Sequence, residues 1–262
     1  MTFIFSESTA GYSTYTFPYC IYAVLDAAEP PDEAYQRGFL PYSADTSITK
    51  SIFYLAKSTR IDLNLFADTG EDRRIDRKNE ALQISMQPFD KENFDLQDTT
   101  FLDFCLHFAN ERFSNDALTK ERFKYILSQN YFNTILVFKS DTTQKIIGYV
   151  LLCESQQMAH YWYAFYDAQH LATSLGKWIM WHTIGWAKKQ QKQHLYLGTC
   201  YSQSALYKSQ FKGFEFWDGM NWNTNKDILK KMVKNNEAFE PDKINDLLKK
   251  RTALGVESIF LL

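Results

Sequence analysis

Residues 79–223 predict an α+β fold: a mixed, mostly antiparallel sheet with flanking helices, preceded by a small N-terminal region. Three observations carry this. The patterned segments run strand, two helices, three strands, helix, strand, helix, strand. Two of the three central strands flank a polar turn, as in an antiparallel meander. A long helical segment at 174–190 then leads to the next strand as a crossover would.

Each element has its own signal. In the first 78 residues, "TFPYCIYAVL" is apolar and aromatic, "EPPDEAY" is a turn entering a short helix, and "SIFYLA" and "RIDLNLF" read as short strands. The charged stretch "DTGEDRRIDRKNE" (68–80) reads as a connector and a domain boundary. After it "ALQISMQ" alternates as a strand does. "TTFLDFCLHFANERF" puts Phe101, Phe104, Cys105 and Phe108 on one helical face, and "TKERFKYILSQ" is a second helix with a Thr start. "TILVFKSDTTQKIIGYVLLC" is two strands about a polar turn and "HYWYAFYD" a third. In 174–190, Leu175, Ile179 and Trp186 mark one side of a helix. "HLYLGTC", "SQSALYKSQF" and "GFEFWD" complete the order as strand, short helix and strand. The domain reading is 1–78 as an accessory region, 79–223 as the main domain, and 224–262 as an extension of one or two lysine-rich amphipathic helices.

Composition narrows the function. The chain has 262 residues, is 45% hydrophobic and carries 21 Phe, 16 Tyr and 6 Trp, which excludes a disordered protein and allows a sizeable core. No apolar run reaches membrane-spanning length and the N-terminus lacks a basic leader segment, so the expectation is a cytoplasmic protein with no membrane partner. Four scattered cysteines without a C-x-x-C pair argue for buried thiols rather than disulfides or a zinc knuckle, and no metal site is expected. The net charge of −2 is uneven: residues 151–262 hold 14 Lys+Arg against 10 Asp+Glu. "KKQQKQH" (188–194) and "KDILKKMVK" (226–234) are either solvated helix faces or contacts for a phosphate backbone.

The element order is similar to the GNAT (acyl-CoA N-acyltransferase) fold, which carries no function by itself. In coenzyme-A-dependent members the turn before the long helix reads Gln/Arg-x-x-Gly-x-Gly/Ala, and its amides hold a pyrophosphate at the helix N-terminus. The window here is Thr173-Ser174-Leu175-Gly176-Lys177-Trp178. It lacks the basic or amide first residue and sets Trp178 where the small one belongs, which argues against coenzyme A.

A more specific likeness lies in "FYDAQHLATSLGKWIMWHTIGWAKKQQKQHLYLG" followed by "SALYKSQF". This stretch resembles the C-terminal domain of the arginyl- and leucyl-tRNA–protein transferases, which show an aromatic pair, Asp-Pro-Asp-His, then Ser-Leu-Gly, Tyr-Leu-Gly and Tyr-Lys-x-x-Phe in that order. The matching residues are Phe165, Tyr166, Asp167 and His170; Ser174, Leu175 and Gly176; Tyr196, Leu197 and Gly198; Tyr207, Lys208 and Phe211. Residues 160–222 carry most of the likeness. The Pro-Asp pair is Ala168-Gln169 here, one residue is inserted before Ser174, and Thr199-Cys200 replaces an aromatic pair after Gly198. The cysteines that family members often use for a metal or iron–sulfur centre are reduced to Cys20 at most, so no cofactor is expected.

The resemblance implies transfer of arginine or leucine from a charged tRNA to the N-terminal amine of a protein, typically one beginning with an acidic residue, which tags it for degradation. The ester is already activated. Such a site must align amine and carbonyl, stabilise the oxyanion and help move one proton. By resemblance, Asp167 holds the amine or takes its proton, Lys208 meets a terminal phosphate or acceptor carboxylate, and Tyr207 meets the leaving ribose oxygen. His170 relays a proton. Ser174 and the amides about Gly176 hold the aminoacyl end, with Tyr166, Leu175, Tyr196, Gly198 and Phe211 as further binding positions. Plainer roles stand beside these: Asp167 and Ser174 as turn or helix caps, Tyr207 and the tryptophans as core, and Arg73, Arg74 and Arg77 as parts of a solvated connector rather than tRNA contacts. Two other functions stay open, a tRNA- or degron-binding protein without catalysis and a coenzyme-A-dependent N-acyltransferase.

Overall fold

The computed structural model describes residues 1–7, 19–26, 29–43, 51–112 and 118–236. The chain divides into two units. Unit 1 comprises Met1–Thr59, Thr199–Tyr207 and Phe216–Leu262; unit 2 comprises Arg60–Gly198 and Lys208–Glu215.

Unit 1 begins with strands β1 (Thr2–Glu7) and β2 (Tyr19–Leu25), helix α1 (Asp32–Gln36), and strands β3 (Phe39–Pro41) and β4 (Ser51–Leu55), giving a sheet in the order β1-β2-β4-β3. All its pairings are antiparallel. Ala23, Ala34, Tyr35 and Phe53 are fully buried, and the Tyr35 and Phe53 rings meet edge to face at 5.7 Å. Gly38 needs to be glycine twice over: its φ is +82°, and a Cβ there would lie 2.5 Å from the Trp217 ring. "EPPDEAY" enters a helix as expected, whereas residues 11–18, including most of "TFPYC", lie outside the described residues.

The next strand, β5 (Ser58–Asp62), starts two residues before the expected "RIDLNLF" and gives way to a turn at Leu63. Residues 68–80 are not a connector. They form helix α2 (Gly70–Asn79), opened by a capping box in which Thr69 Oγ1 accepts from the Asp72 amide at 3.2 Å and Asp72 Oδ2 accepts from the Thr69 amide at 2.9 Å. Its buried side is polar as well as apolar, Asp72, Ile75 and Asn79, so hydrophobic periodicity alone is too weak to mark it.

The remainder of unit 2 follows the expected order: β6 (Ile84–Asp90), α3 (Thr99–Arg112), α4 (Lys120–Ser128), β7 (Thr134–Ser140), β8 (Ile146–Glu154), β9 (Met158–Tyr166), α5 (Leu175–Lys189), β10 (His194–Thr199), a 3₁₀ segment at Gln203–Gln210 in place of a short α-helix, and β11 (Phe214–Trp217). In unit 2 the strands lie β11-β5-β10-β9-β8-β7-β6. From β6 to β9 they form an antiparallel meander, and β9 and β10 run parallel about the α5 crossover. This is a GNAT-like α+β fold.

The core of unit 2 gathers α3 and α4 on the meander: Phe101, Cys105, Phe108, Phe123, Ile126, Phe132, Ile135, Leu151 and Phe165 are all buried. Each such side chain contributes about 1.5–3 kcal/mol by leaving water. Leu175, Ile179 and Trp186 of α5 are buried as their spacing predicts. Unit 1 closes with β12 (Trp222–Asn223), paired with Phe216 and Trp217, and α6 (Lys226–Asn236), whose Leu229 and Val233 are buried. Residues 237–262 of the expected extension lie outside the described residues. Among the described residues no helix is long and apolar enough to cross a membrane, and Cys105, Cys153 and Cys200 are buried and not in disulfides.

Two stability effects follow. Thr69→Ala removes the hydroxyl arm of the capping box and should cost about 1 kcal/mol in denaturant unfolding. Gly213→Ala should cost about 2–4 kcal/mol, because Gly213 has φ +79° and a Cβ would lie 2.4 Å from the Asp62 carbonyl oxygen; a smaller loss in the same titration would show that this turn yields.

Candidate active site

The motif residues of unit 2 fall into two groups. The first surrounds the turn between β9 and α5. Asp167 caps this turn, its Oδ1 accepting from the Gln169 amide at 2.9 Å. Its Oδ2 lies 3.8 Å from His170 Nε2, and both side chains are 29% exposed, so a carboxylate–imidazole pair reaches solvent. Helix α2 anchors the same turn. Thr173 Oγ1 donates to Asn79 Oδ1 at 2.6 Å, and Asn79 Nδ2 donates to the Thr173 carbonyl at 3.2 Å.

Ser174 makes no side-chain cap. It takes a left-handed conformation (φ 61°, ψ 37°) and starts α5 through its carbonyl, which accepts from the Lys177 and Trp178 amides. The side chain beside Gly176 is Tyr166, whose ring and hydroxyl would lie 2.6 Å from a Cβ at that glycine. Gly176 is therefore explained by the close approach of an aromatic ring of the same unit. Trp178 has a different place from the one its sequence position suggested: it is buried, with its indole N–H donating to Asp76 Oδ1 at 2.9 Å and its ring 6.2 Å from Phe138. The crowding at the helix start comes from Tyr166. Burial raises the Tyr166 phenol above its ordinary pKa, opposed by the charge and hydrogen bond of Arg112.

The second group forms where β9 and β10 part. Their parallel register runs through Met158–His194, Ala159–Leu195 and His160–Tyr196 and goes no further, although β9 continues to Tyr166 and β10 to Thr199. On its other edge β9 bulges at Trp162, because Leu151 faces Tyr163 while Leu152 faces Tyr161. Just past the last parallel pair, Lys208 Nζ donates to the Leu197 carbonyl at 2.7 Å. Gly198 follows with φ +77°, and a Cβ there would have only Lys208 Nζ nearby, at 3.8 Å. Buried His160 has its pKa pushed down to about 3, first by burial and then by the Lys208 charge. It is a neutral base lying close to a cation, in a parting between strands.

Several expected binding residues are core instead. Tyr196 is 1% exposed and its hydroxyl accepts from Arg60 Nη1 at 3.4 Å, while Arg60 also pairs with Glu215 at 2.6 Å. Leu175 and Phe211 are fully or almost fully buried, Phe211 with the Lys177 ammonium 5.6 Å from its ring. All three are enclosed by neighbouring side chains. Tyr207 is half-buried and belongs to unit 1.

Sequence reasoning missed His160, Asn79 and Arg112. The imidazole in the otherwise apolar and aromatic strand "MAHYWYAFY" was a usable signal; Asn79 was hidden in the supposed connector, and Arg112 in a helix end.

Residues 101–218 match the family model described as arginine-tRNA-protein transferase, C terminus. A protein of Xanthomonas euvesicatoria named aspartate/glutamate leucyltransferase is 37% identical over 62 residues, which span 23% of this chain and 25% of that protein. One of the same name from Xylella fastidiosa is 22% identical over 170 residues, 62% of this chain and 66% of that protein. The chain thus spans a quarter of the Xanthomonas relative. Among solved structures, the C-terminal domain of a putative lysylphosphatidylglycerol synthetase from Agrobacterium fabrum is 16% identical with a TM-score of 0.43, over 59% of this chain and 49% of that one. Residues 101–218, the stretch that matches this family model, hold β7 to β9 of the meander, the capped turn, α5 and the parting of β9 from β10.

Proposed function

We propose that the protein moves an amino acid from an aminoacyl-tRNA ester to the N-terminal α-amine of a protein or peptide. The observation that carries this reading is the Lys208 ammonium beside the parted ends of β9 and β10, within the stretch that matches this family model. In the reaction the amine nitrogen attacks the ester carbonyl carbon, the carbon–oxygen bond to the ribose breaks, and one proton passes from the amine to the ribose oxygen.

Lys208 stabilises the negative charge that develops on the carbonyl oxygen, or holds an acceptor carboxylate. Its link to Leu197 keeps it in place beforehand, so little reorganisation is needed as charge appears. Neutral His160 adds no competing positive charge beside it. The incoming α-ammonium has an intrinsic pKa of about 8, so a weak base suffices, and the solvent-reaching Asp167–His170 pair serves to orient the amine and take its proton. The names of the relatives support leucine as the donor amino acid and Asp or Glu as the accepting N-terminus; arginine is the alternative donor. The Tyr166 ring against Gly176 weighs against pyrophosphate binding there, and so against the coenzyme A reading.

The purified chain should transfer labelled leucine from leucyl-tRNA to peptides beginning with Asp or Glu. Absence of transfer from both leucyl- and arginyl-tRNA would overturn the proposal. Two variants locate the chemistry. Lys208→Ala should lower kcat/KM by about a hundredfold with the fold retained by circular dichroism. Asp167→Asn keeps an acceptor for the Gln169 amide but loses the charge, and should lower transfer at least about tenfold without changing Tm. An Asn variant as active as the parent would reduce Asp167 to a turn cap.

A further inference from the structure

The capping box turns the supposed connector into an ordered helix, and this changes what its arginines can do. Arg73, Arg74, Arg77 and Lys78 are all exposed on α2, while Asp72, Ile75 and Asn79 are buried. Residues four apart on a helix are about 6 Å apart along its axis, so Arg73 with Arg77 and Arg74 with Lys78 make two short rows on one side.

The acidic residues of α2 are mostly engaged. Glu71 pairs with Arg74 through two bonds of 2.7 Å. Asp72 lies in the capping box, and Asp76 accepts from the Trp178 indole and sits 3.6 Å from His182. Glu80, just after the helix, is exposed. Arg73, Arg77 and Lys78 make no ion pair and no side-chain hydrogen bond among the described residues. Lys177, on α5, interacts with the charges of Glu71, Asp72 and Arg74, and its ammonium donates to Gln210 Oε1.

The face also has a direction. Asn79, at its end, is the residue that clamps Thr173 in the turn carrying Asp167 and His170, and Lys177 directly follows Gly176. A polyanion lying along α2 is therefore led to the start of α5.

We propose that the exposed face of α2 seats the acceptor arm of the tRNA, with Arg73, Arg77 and Lys78 on its phosphates and the strand end directed to the turn at 167–176. This rests on the aminoacyl-tRNA reading above. Planar guanidinium groups suit phosphate oxygens, and a surface that reads backbone rather than bases suits a substrate common to many tRNAs.

The test is binding of uncharged tRNA to the full chain, followed by fluorescence anisotropy across a salt series. Relative to the parent, Arg73→Gln/Arg77→Gln/Lys78→Gln should weaken Kd about tenfold or more near 0.1 M salt. It should also flatten the slope of log K against log salt by about 2–3, and raise KM for the charged tRNA. Arg73→Lys/Arg77→Lys, which keeps the charge, should hold the parental slope, and Lys120→Gln/Lys124→Gln on α4 should bind as the parent does. If the triple variant loses Tm, the single substitutions should each flatten the slope by about 1. Unchanged binding by the triple variant, in a chain that does bind tRNA and transfer its amino acid, overturns the α2 seat and leaves the activity standing. A higher KM for the acidic peptide with tRNA binding unchanged also overturns it, in favour of a protein-binding face. A parent chain that binds no tRNA overturns both.

Discussion

Two parallel strands that stop pairing release backbone groups, and a partly buried carbonyl left without a donor is costly. The candidate site of unit 2 depends on how this is met where β9 and β10 part. Their shared register ends at His160–Tyr196, and immediately beyond it the Lys208 ammonium serves the Leu197 carbonyl. One bond thereby meets a structural need and fixes a cation in the candidate site. Two neighbouring features follow from it. Burial first, and then the charge of that cation, keep the His160 imidazole neutral far below its ordinary pKa. Gly198, in the left-handed region, lets the chain turn with no side chain beside the lysine tip.

The turn at 167–176 is fixed by different means. Tyr166 closes over Gly176, Asn79 holds Thr173 from α2, and Asp167 caps through the Gln169 amide. None of these restraints needs a substrate. A reaction on an activated ester asks chiefly for alignment, and alignment comes at least entropic cost from groups already held by their own packing. The helix start is thus a rigid seat whose glycine is reserved for an aromatic ring of the same unit.

The fold was largely legible because unit 2 alternates strand and helix patterns over long apolar segments: Phe101, Cys105 and Phe108 on α3, and Leu175, Ile179 and Trp186 on α5. Legibility failed at α2, whose buried face is Asp72, Ile75 and Asn79. A helix held by a capping box and polar tertiary bonds has no apolar stripe to read. At the candidate site, the ordered motifs fall on the turn at 167–176 and on the end of β10 but do not tell which side chains face outward. Tyr196, Leu175 and Phe211 share their motifs with exposed neighbours, yet they are core, because alternation in a strand and packing beneath a helix decide orientation. His160 was missed for the same reason. Its partner Lys208 lies 48 positions along the chain, and only the parting of two strands makes their proximity matter.

The altered Asp-Pro-Asp-His segment is the sharpest departure from the pattern the chain resembles, and the turn shows why it still folds. Asp167 has φ −61° and ψ 113°, in the extended region that is open to a residue before proline as it is before Ala168. The cap runs to the main-chain N–H of Gln169, a group that every residue except proline supplies. Ala-Gln in place of Pro-Asp therefore leaves the cap intact. What is lost with the second carboxylate is charge. Asp167 then carries the negative charge of this turn without an acidic neighbour at 168 or 169 and faces His170, and in the proposed reaction that single side chain is the one to pair with an incoming ammonium.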